Sequence, residues 1–342
     1  MSTTIKQIAK NLGIGYATVS RALNNHGYVK KETKEKILKR AAELNYRPNN
    51  IARSLVLGKT KNIGFIASEL TNPFFSPVIK AIEETITPKG YLLIIGDTEW
   101  SPKIETDYVG TFLENRVEGM IITPLQTTNK HIIELKKSKT PFVLLDKCIG
   151  GIKTDFVNFD NVKGAYNAVN YLISLGHKRI AYISYGKLKG LPSYYRYTGY
   201  RKALTDAGIK IDRNLVYETE RVESEIEYGY MATKELIKYK PTVIFAFDDM
   251  VAIGCFKSLK ELGIKVPEDM SLLGVDDIEM AQYLEVPLTT LKSPCYELGK
   301  RATEILFNRI EGNGKRGYYE EYISPELVIR NSCAPRRHQE GD

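Results

Sequence analysis

The sequence predicts a small all-α head of three helices, a short linking helix, and a larger α/β domain of two lobes with parallel sheets. Three observations predict it. Basic charge is confined to one end: residues 1–60 hold twelve lysines and arginines against three acids, a balance of +9, within a chain total of +8. Apolar residues recur with helical period as far as residue 45. From Asn62 onward, short apolar runs alternate with amphipathic stretches of about ten residues, the pattern of βαβ units.

The 342 residues, 43% hydrophobic and 26% charged, have the composition of a folded globular protein. At roughly 150 residues per domain there is room for about two. The longest apolar runs, at residues 91–96 and 142–145, fall far short of the roughly 18 residues of a spanning helix. No signal-type segment opens the chain, so a cytoplasmic location is expected. Cys148, Cys255, Cys295 and Cys333 are scattered without C-x-x-C spacing, and only four histidines accompany them. Reduced, mostly buried thiols are expected, with no disulfide framework and no metal site.

In the head, Thr4 followed by Gln7 fits a capping box, and Ile5, Ile8, Ala9 and Leu12 form one stripe that Gly13 ends. After the turn at residues 13–15, a second helix over 16–23 sets Val19, Ala22 and Leu23 on one side. Tyr16, Ala17, Ser20, Arg21 and Asn24 fall on the other. A third segment over 33–45 gathers Ile37, Leu38, Ala41 and Leu44 on a common face. Helix, tight glycine turn, helix is the helix-turn-helix pattern, in which the second helix enters the major groove of DNA. Tyr16 read alone is as well a cover for the core, and Arg21 a solvated helix charge; the basic segment around them shifts the weight to nucleic acid. Residues 50–57, after Pro48, can form one short helix that is marginal in water without partners.

The larger domain shows strand patterns at residues 63–67, 91–96, 119–123 and 141–145, then at 179–184, 243–247 and 271–275. Helical patterns of the second series fall at 162–175, 196–207 and 249–262. Two such lobes enclose a cleft, and ligands of open parallel sheets gather at the carboxyl ends of the strands. There the sequence places residues 69–75, Asp146, Tyr185, Asp248 and Asp276. Carboxylates and a guanidinium grip hydroxyls while aromatic faces cover a ring, which suits a neutral polyol better than an anion. Asp248 and Asp277 also read as simple helix caps. Enzyme motifs fail: Gly58-Lys59-Thr60 ends like a phosphate loop, but Arg53 stands where its first glycine belongs. Neither G-x-S-x-G nor H-E-x-x-H occurs.

Residues 4–9 (TIKQIA), 15–24 (GYATVSRALN), 45–49 (NYRPN) and 52–55 (ARSL) resemble the DNA-binding end of the LacI/GalR family of transcriptional repressors. Residues 63–66 (IGFI), 72–75 (NPFF), 160–161 (DN), 176–181 (GHKRIA), 247–254 (FDDMVAIG) and 274–277 (GVDD), with Arg196 and Gly199, are similar to the ligand-binding part of that family. The resemblance spans residues 3–332. It implies a helix-turn-helix head with hinge helix at residues 1–60, the hinge at about 50–57. It also implies a two-lobed, periplasmic-binding-protein-like effector and dimerisation domain at 61–342, with lobes of about 61–160 plus 293–322 and about 161–292 plus 323–342.

By this resemblance Tyr16, Ala17 and Arg21 read base edges, Arg21 being the natural partner of guanine. Thr18, Ser20 and Asn24 hold phosphates, with Thr4, Asn49 and Arg53 also at the DNA, and Leu55 wedges into a minor-groove step. Phe74 and Phe75 line the cleft, Arg196 and Asp276 bond the effector, Asp146 stands beside them, and Asp248 occupies a position more often asparagine. Tyr194, Tyr195, Tyr197 and Tyr200 crowd around Arg196, and Trp100 is a further cleft candidate. Two departures weaken helix capping: Gly15 replaces a serine, and Lys30 a small polar residue.

The expected protein is a homodimeric, sequence-specific repressor reading a palindromic operator with half-sites about one helical turn apart. Its operator affinity is set by a small-molecule effector, expected to be a neutral sugar, with no cofactor and no membrane partner. The alternatives are regulation by a docking protein, or a sugar receptor without DNA regulation. The nine residues after Cys333 carry no heptad for tetramer formation.

Overall fold

The computed structural model describes residues 3–24, 27–46, 58–125, 130–147, 149, 151–185, 192–219 and 224–336. The linking helix, with Asn49, Arg53 and Leu55, and Cys148 lie outside the described residues. The chain divides into two compact units, residues 1–60 and 61–342.

The first unit holds α1 (Ile5–Leu12), α2 (Tyr16–Asn24) and α3 (Lys31–Glu43). The capping box forms: Thr4 Oγ1 accepts from the Gln7 N–H at 3.3 Å and Gln7 Oε1 accepts from the Thr4 N–H at 2.7 Å. Gly13 ends α1 at φ 63°, a left-handed conformation in which its N–H reaches the Ala9 and Lys10 carbonyls. Ile8, Ala9, Val19, Ala22, Ile37 and Ala41 make the core. Leu38, expected on the packed face, is 45% exposed. Ile37, Ala41 and Leu44 at i, i+4 and i+7 already fill the narrow face that three short helices leave for α3. That helix begins two residues earlier than its periodicity indicates, with Lys30 as an N-cap whose side chain makes no capping bond.

The second unit contains two six-stranded sheets. The first lobe runs β1 (Asn62–Ala67), α4 (Phe75–Ile86), β2 (Leu92–Asp97), α5 (Pro102–Glu114), β3 (Gly119–Ile122), α6 (Lys130–Ser138), β4 (Phe142–Leu145) and β5 (Asp155–Phe159). The chain then crosses into α7 (Asn161–Ser174), β6 (Ile180–Tyr185), α8 (Pro192–Asp206), β7 (Val216–Thr219), α9 (Glu225–Leu236), β8 (Val243–Phe245), α10 (Asp249–Glu261), β9 (Ser271–Asp276) and β10 (Thr289–Lys292). It returns through α11 (Cys295–Ile310) and β11 (Glu320–Ile323) to the first sheet, and ends with β12 (Glu326–Val328) on the second. The strand orders are β11-β5-β4-β3-β1-β2 and β12-β10-β9-β8-β6-β7. Within these sheets β12 alone pairs antiparallel, with β10. The lobes are therefore joined at Asp160, at Ser293 and Pro294, and at Ser324 and Pro325.

Helices cover both faces of each sheet, as parallel strands require. In the first lobe α4 and α11 pack on Ile63, Phe65, Ile121 and Val143, while α5 and α6 pack on Ile66, Met120 and Leu144. In the second, α9 and α10 cover Ala181, Ile244 and Leu272, and α7 and α8 cover Tyr182, Phe245 and Leu273. The pattern at 243–247 predicts a longer strand than forms: β8 stops at Phe245, and Ala246 and Phe247 turn toward Asp248. The strands without a sequence signal are β5, β7, β10, β11 and β12, most of them short or at a sheet edge. Among the described residues no helix is long and apolar enough to cross a membrane.

Two glycines set the closest helix crossing in the second lobe. A Cβ on Gly229 of α9 would stand 2.0 Å from the Val251 carbonyl oxygen, and one on Gly254 of α10 would stand 1.9 Å from that of Ile226. Bare backbone meets bare backbone, and the N-terminal ends of α9 and α10 are drawn together. Gly199 does the same for α8 against Val162 of α7. Gly254→Ala is expected to cost about 3 kcal/mol, read as a lowered midpoint in urea unfolding of the larger unit. Lys30→Ser supplies the missing cap and is expected to stabilise the head by about 1 kcal/mol, read as slower amide exchange in α3.

Candidate functional site

The first candidate surface is one face of α2. Tyr16, Ala17 and Arg21 are exposed, and Thr18, Ser20 and Asn24 lie at its margin, while Val19 and Ala22 face the core. Asn24 Nδ2 donates to the Ser20 carbonyl at 3.0 Å, so its amide is tied to its own helix. The hydroxyl of Thr4 is engaged in the capping box of α1. A Cβ on Gly15 would meet nothing, so the backbone there does not require glycine.

The second candidate is the cleft where the strand ends of the two sheets converge. Arg196, on α8, is buried, and each part of its guanidinium is engaged. Nε donates to Asn161 Oδ1 at 2.8 Å and Nη1 to the Phe247 carbonyl at 2.6 Å. Nη2 stands 3.9 Å from Asp276 Oδ1, an ion pair too long for a direct hydrogen bond. The plane lies over the Phe247 ring at 4.5 Å and the Phe159 ring at 5.3 Å from their centroids. Arg196 thus binds the crossover at Phe159–Asn161 to the strand end at Phe247.

Carboxyl groups surround it. Asp276, at the end of β9, has φ 108° and accepts from Ser293 Oγ at 2.7 Å, which joins it to the second crossover. Burial pushes its pKa up, and Arg196 opposes the shift. Asp146 follows β4 at φ 63°, and its Oδ1 is buried with no hydrogen-bond partner among the described residues. Burial raises Asp146 to about 6 against the pull of Lys147 and Arg196. Asp248 caps α10, Oδ1 accepting from the Val251 N–H at 2.7 Å. Its carboxyl faces that of Glu225 within hydrogen-bonding range; burial pushes both up, aided at Glu225 by the charge of Asp248 and at Asp248 by that of Asp276, while the bond from Glu225 pulls Asp248 back, so that the pair retains a proton. Asn72 of the first lobe reaches across and donates Nδ2 to Glu225 Oε2 at 3.2 Å. Nearby, Trp100 Nε1 donates to Glu69 at 2.8 Å while the Lys147 ammonium lies 4.5 Å over the indole. Among the described residues no group of His, Cys, Asp and Glu is arranged to hold a metal ion.

A basic helix-turn-helix followed by a two-lobed cleft is shared with known proteins. The family model described as bacterial regulatory proteins, lacI family, matches residues 4–49, and the periplasmic binding protein-like domain matches 169–333. The HTH-type transcriptional repressor PurR of Photobacterium profundum is 35% identical over 335 residues, covering 96% of this chain and 98% of that protein. The chain belongs to the LacI family. This LacI-family chain is a DNA-binding transcriptional repressor with an effector-binding domain and, like its relatives, not an enzyme. Its fold is similar to the lac repressor dimer bound to operator and the anti-inducer ONPF, with TM-score 0.86, 27% identity, and coverage of 98% of this chain and 100% of that one. A LacI family regulator from Enterococcus faecium with bound ribose superposes with TM-score 0.71 at 30% identity, covering 81% of this chain and 100% of that one.

In this LacI-family repressor the structure draws Asp146, Arg196, Asp248 and Asp276 into one electrostatic cluster. Phe75 instead packs with Phe65 in the core of the first lobe, and Phe74 meets Phe75 edge-on at 5.1 Å. Tyr197 and Tyr200 stack with Tyr182 beneath α8, and Tyr194 packs on Tyr195. Asp277 caps no helix; it pairs with Arg330 at 2.6 Å. The sequence did not point to Glu225, Lys147 or Phe159, and it marked Asn161 only as part of a family motif, without a role. Ser224 and Glu227 carried a helix-start signal for α9, since the Ser224 hydroxyl caps the Glu227 N–H. Nothing local indicated that Glu225 would meet Asp248.

Because Asp146 has a raised pKa when folded, the native state holds the proton more tightly, and stability falls as pH rises from about 4 to about 6. Asp146→Asn is therefore expected to stabilise the protein at pH 8 by roughly 2–3 kcal/mol and to change little at pH 4. Unfolding midpoints across pH check this.

Proposed function

We propose that this repressor acts as a homodimer in the cytoplasm, reading a palindromic operator through Tyr16, Ala17 and Arg21 of each α2, and that a sugar-class effector between the lobes sets its grip. The observation that carries the effector reading is the balance of donors and acceptors in the cleft. Arg196 commits Nε and Nη1 to protein acceptors, whereas Asp146 Oδ1 has no partner among the described residues and Asp248, Asp276 and Glu225 present further carboxyl oxygens. A ligand rich in hydroxyl donors complements such a site. One hydroxyl accepting from Arg196 Nη2 and donating to Asp276 bridges their 3.9 Å gap. The ribose-bound Enterococcus faecium regulator supports this reading.

A second reading, a purine base, is favoured by the PurR repressors among the relatives. Closure of the lobes on the effector would alter the dimer, and the coupling is reciprocal: operator changes effector affinity by the factor by which effector changes operator affinity.

Thermal unfolding against neutral sugars, purine bases and sugar phosphates tests the effector class. A ligand at 100 times its Kd adds about 2.7 kcal/mol to the native state. Stabilisation by a neutral or substituted sugar is the expected result; stabilisation by purines alone transfers the assignment to the second reading, and no stabilisation by any class favours a docked protein. Arg21→Ala is expected to weaken specific operator binding about 10- to 100-fold, the loss of one bidentate guanine contact. Fluorescence anisotropy on a selected operator and on unrelated DNA separates this from a general loss of phosphate binding.

A further inference from the structure

We propose that the effector is an amino sugar whose ammonium group sits between Glu225 and Asp248. This rests on the sugar reading above and names the group that the cleft selects.

Two carboxyl groups are held face to face where the lobes meet. Glu225 opens α9, Asp248 caps α10, and the glycine crossing of Gly229 and Gly254 fixes the two helix ends side by side. The groups facing them are acidic or neutral: Asn72 and Glu69 from the first lobe, Asp276 and the Val251 N–H from the second. Arg196 acts on Asp248, but Nε and Nη1 are already bonded to Asn161 and Phe247. Lys147 is held over Trp100 beside Asp146. Among the described residues no lysine or arginine forms an ion pair with Glu225 or Asp248.

The second observation is independent of this pair. Asp146 Oδ1 is buried and, among the described residues, unpartnered, so these residues leave a donor wanting at a distinct point of the cleft. Hydroxyls answer Asp146 and Asp276; a primary ammonium, which has three donors, no acceptor and a positive charge, answers the carboxyl pair. A metal ion does not, since the cluster has no metal-binding arrangement among the described residues. Without ligand, one proton lies between the two carboxyls. When the ammonium enters, the proton leaves for solvent, both carboxyls become ionised, and the charge of the site is kept.

The test is calorimetric titration of the full-length protein with glucosamine, galactosamine and mannosamine, with the parent hexoses, with their N-acetyl derivatives, and with hypoxanthine and guanine. The expected result is that one amino sugar binds at least tenfold more tightly than both its parent hexose and its N-acetyl derivative. Its binding should release close to one proton, seen as a dependence of the heat on buffer ionisation enthalpy. In Asp248→Asn, which keeps a capping residue, and in Glu225→Gln, that preference and the proton release should disappear. Equal or tighter binding of a parent hexose or an N-acetyl sugar overturns the amine while leaving the sugar reading intact. Binding of a purine alone, or of no member of the panel, overturns both.

Discussion

A buried arginine at the junction of the lobes governs the arrangement of everything around it. A guanidinium removed from water is tolerated only where its charge and its donors are answered. Arg196 is answered on each side: Asn161 and the Phe247 carbonyl take hydrogen bonds, Asp276 supplies opposite charge, and two phenylalanine rings cover the faces of the plane. Those partners come from the first crossover, from the turn after β8 and from the end of β9. Satisfying one side chain therefore fixes three chain segments that would otherwise be independent strand ends.

The same logic explains how so many carboxyl groups coexist there. Asp248 takes a backbone N–H at the start of α10, and Glu225 at the start of α9 shares a proton with it, which removes one negative charge. Asp276 rests on the Ser293 hydroxyl and Asp249 on Thr290 and the Ile278 N–H. Among the described residues Lys147 and Arg196 favour the charged form of Asp146, and burial outweighs them and moves it upward. The cleft is thus an acceptor-rich, strained place between two well-packed sheets. Positive φ at Asp146, Asp276 and Asp277 adds backbone strain at the same strand ends.

The head obeys a different logic. Its core is six buried residues and their flanks, so helix ends matter more: the Thr4–Gln7 box and Gly13 close α1, while Lys30 leaves α3 uncapped. The exposed face of α2 carries Tyr16, Ala17 and Arg21 because Val19 and Ala22 are taken by packing.

Features that are local and periodic could be read from the residues alone. The charge split, the three helices, the central strands β1, β3, β4, β6 and β9, and the acids Asp146 and Asp276 at the ends of β4 and β9 were legible, because a strand buried on both faces reads as a continuous apolar run and a ligand cleft lies at its end. The family motifs were legible because they too are short, contiguous stretches. Everything that depends on distant segments meeting was settled by packing in three dimensions. Short edge strands such as β7 and β12 have too few residues for a pattern. Phe74 and Phe75, adjacent in sequence, both pack in the first lobe's core, and Asp277 left its expected cap for Arg330, 53 residues away. Glu225 and Asp248 meet because α9 and α10 cross on bare glycine backbone at Gly229 and Gly254, within the first two turns of each helix. Periodicity records which face of an element is buried; it does not record which distant element arrives there.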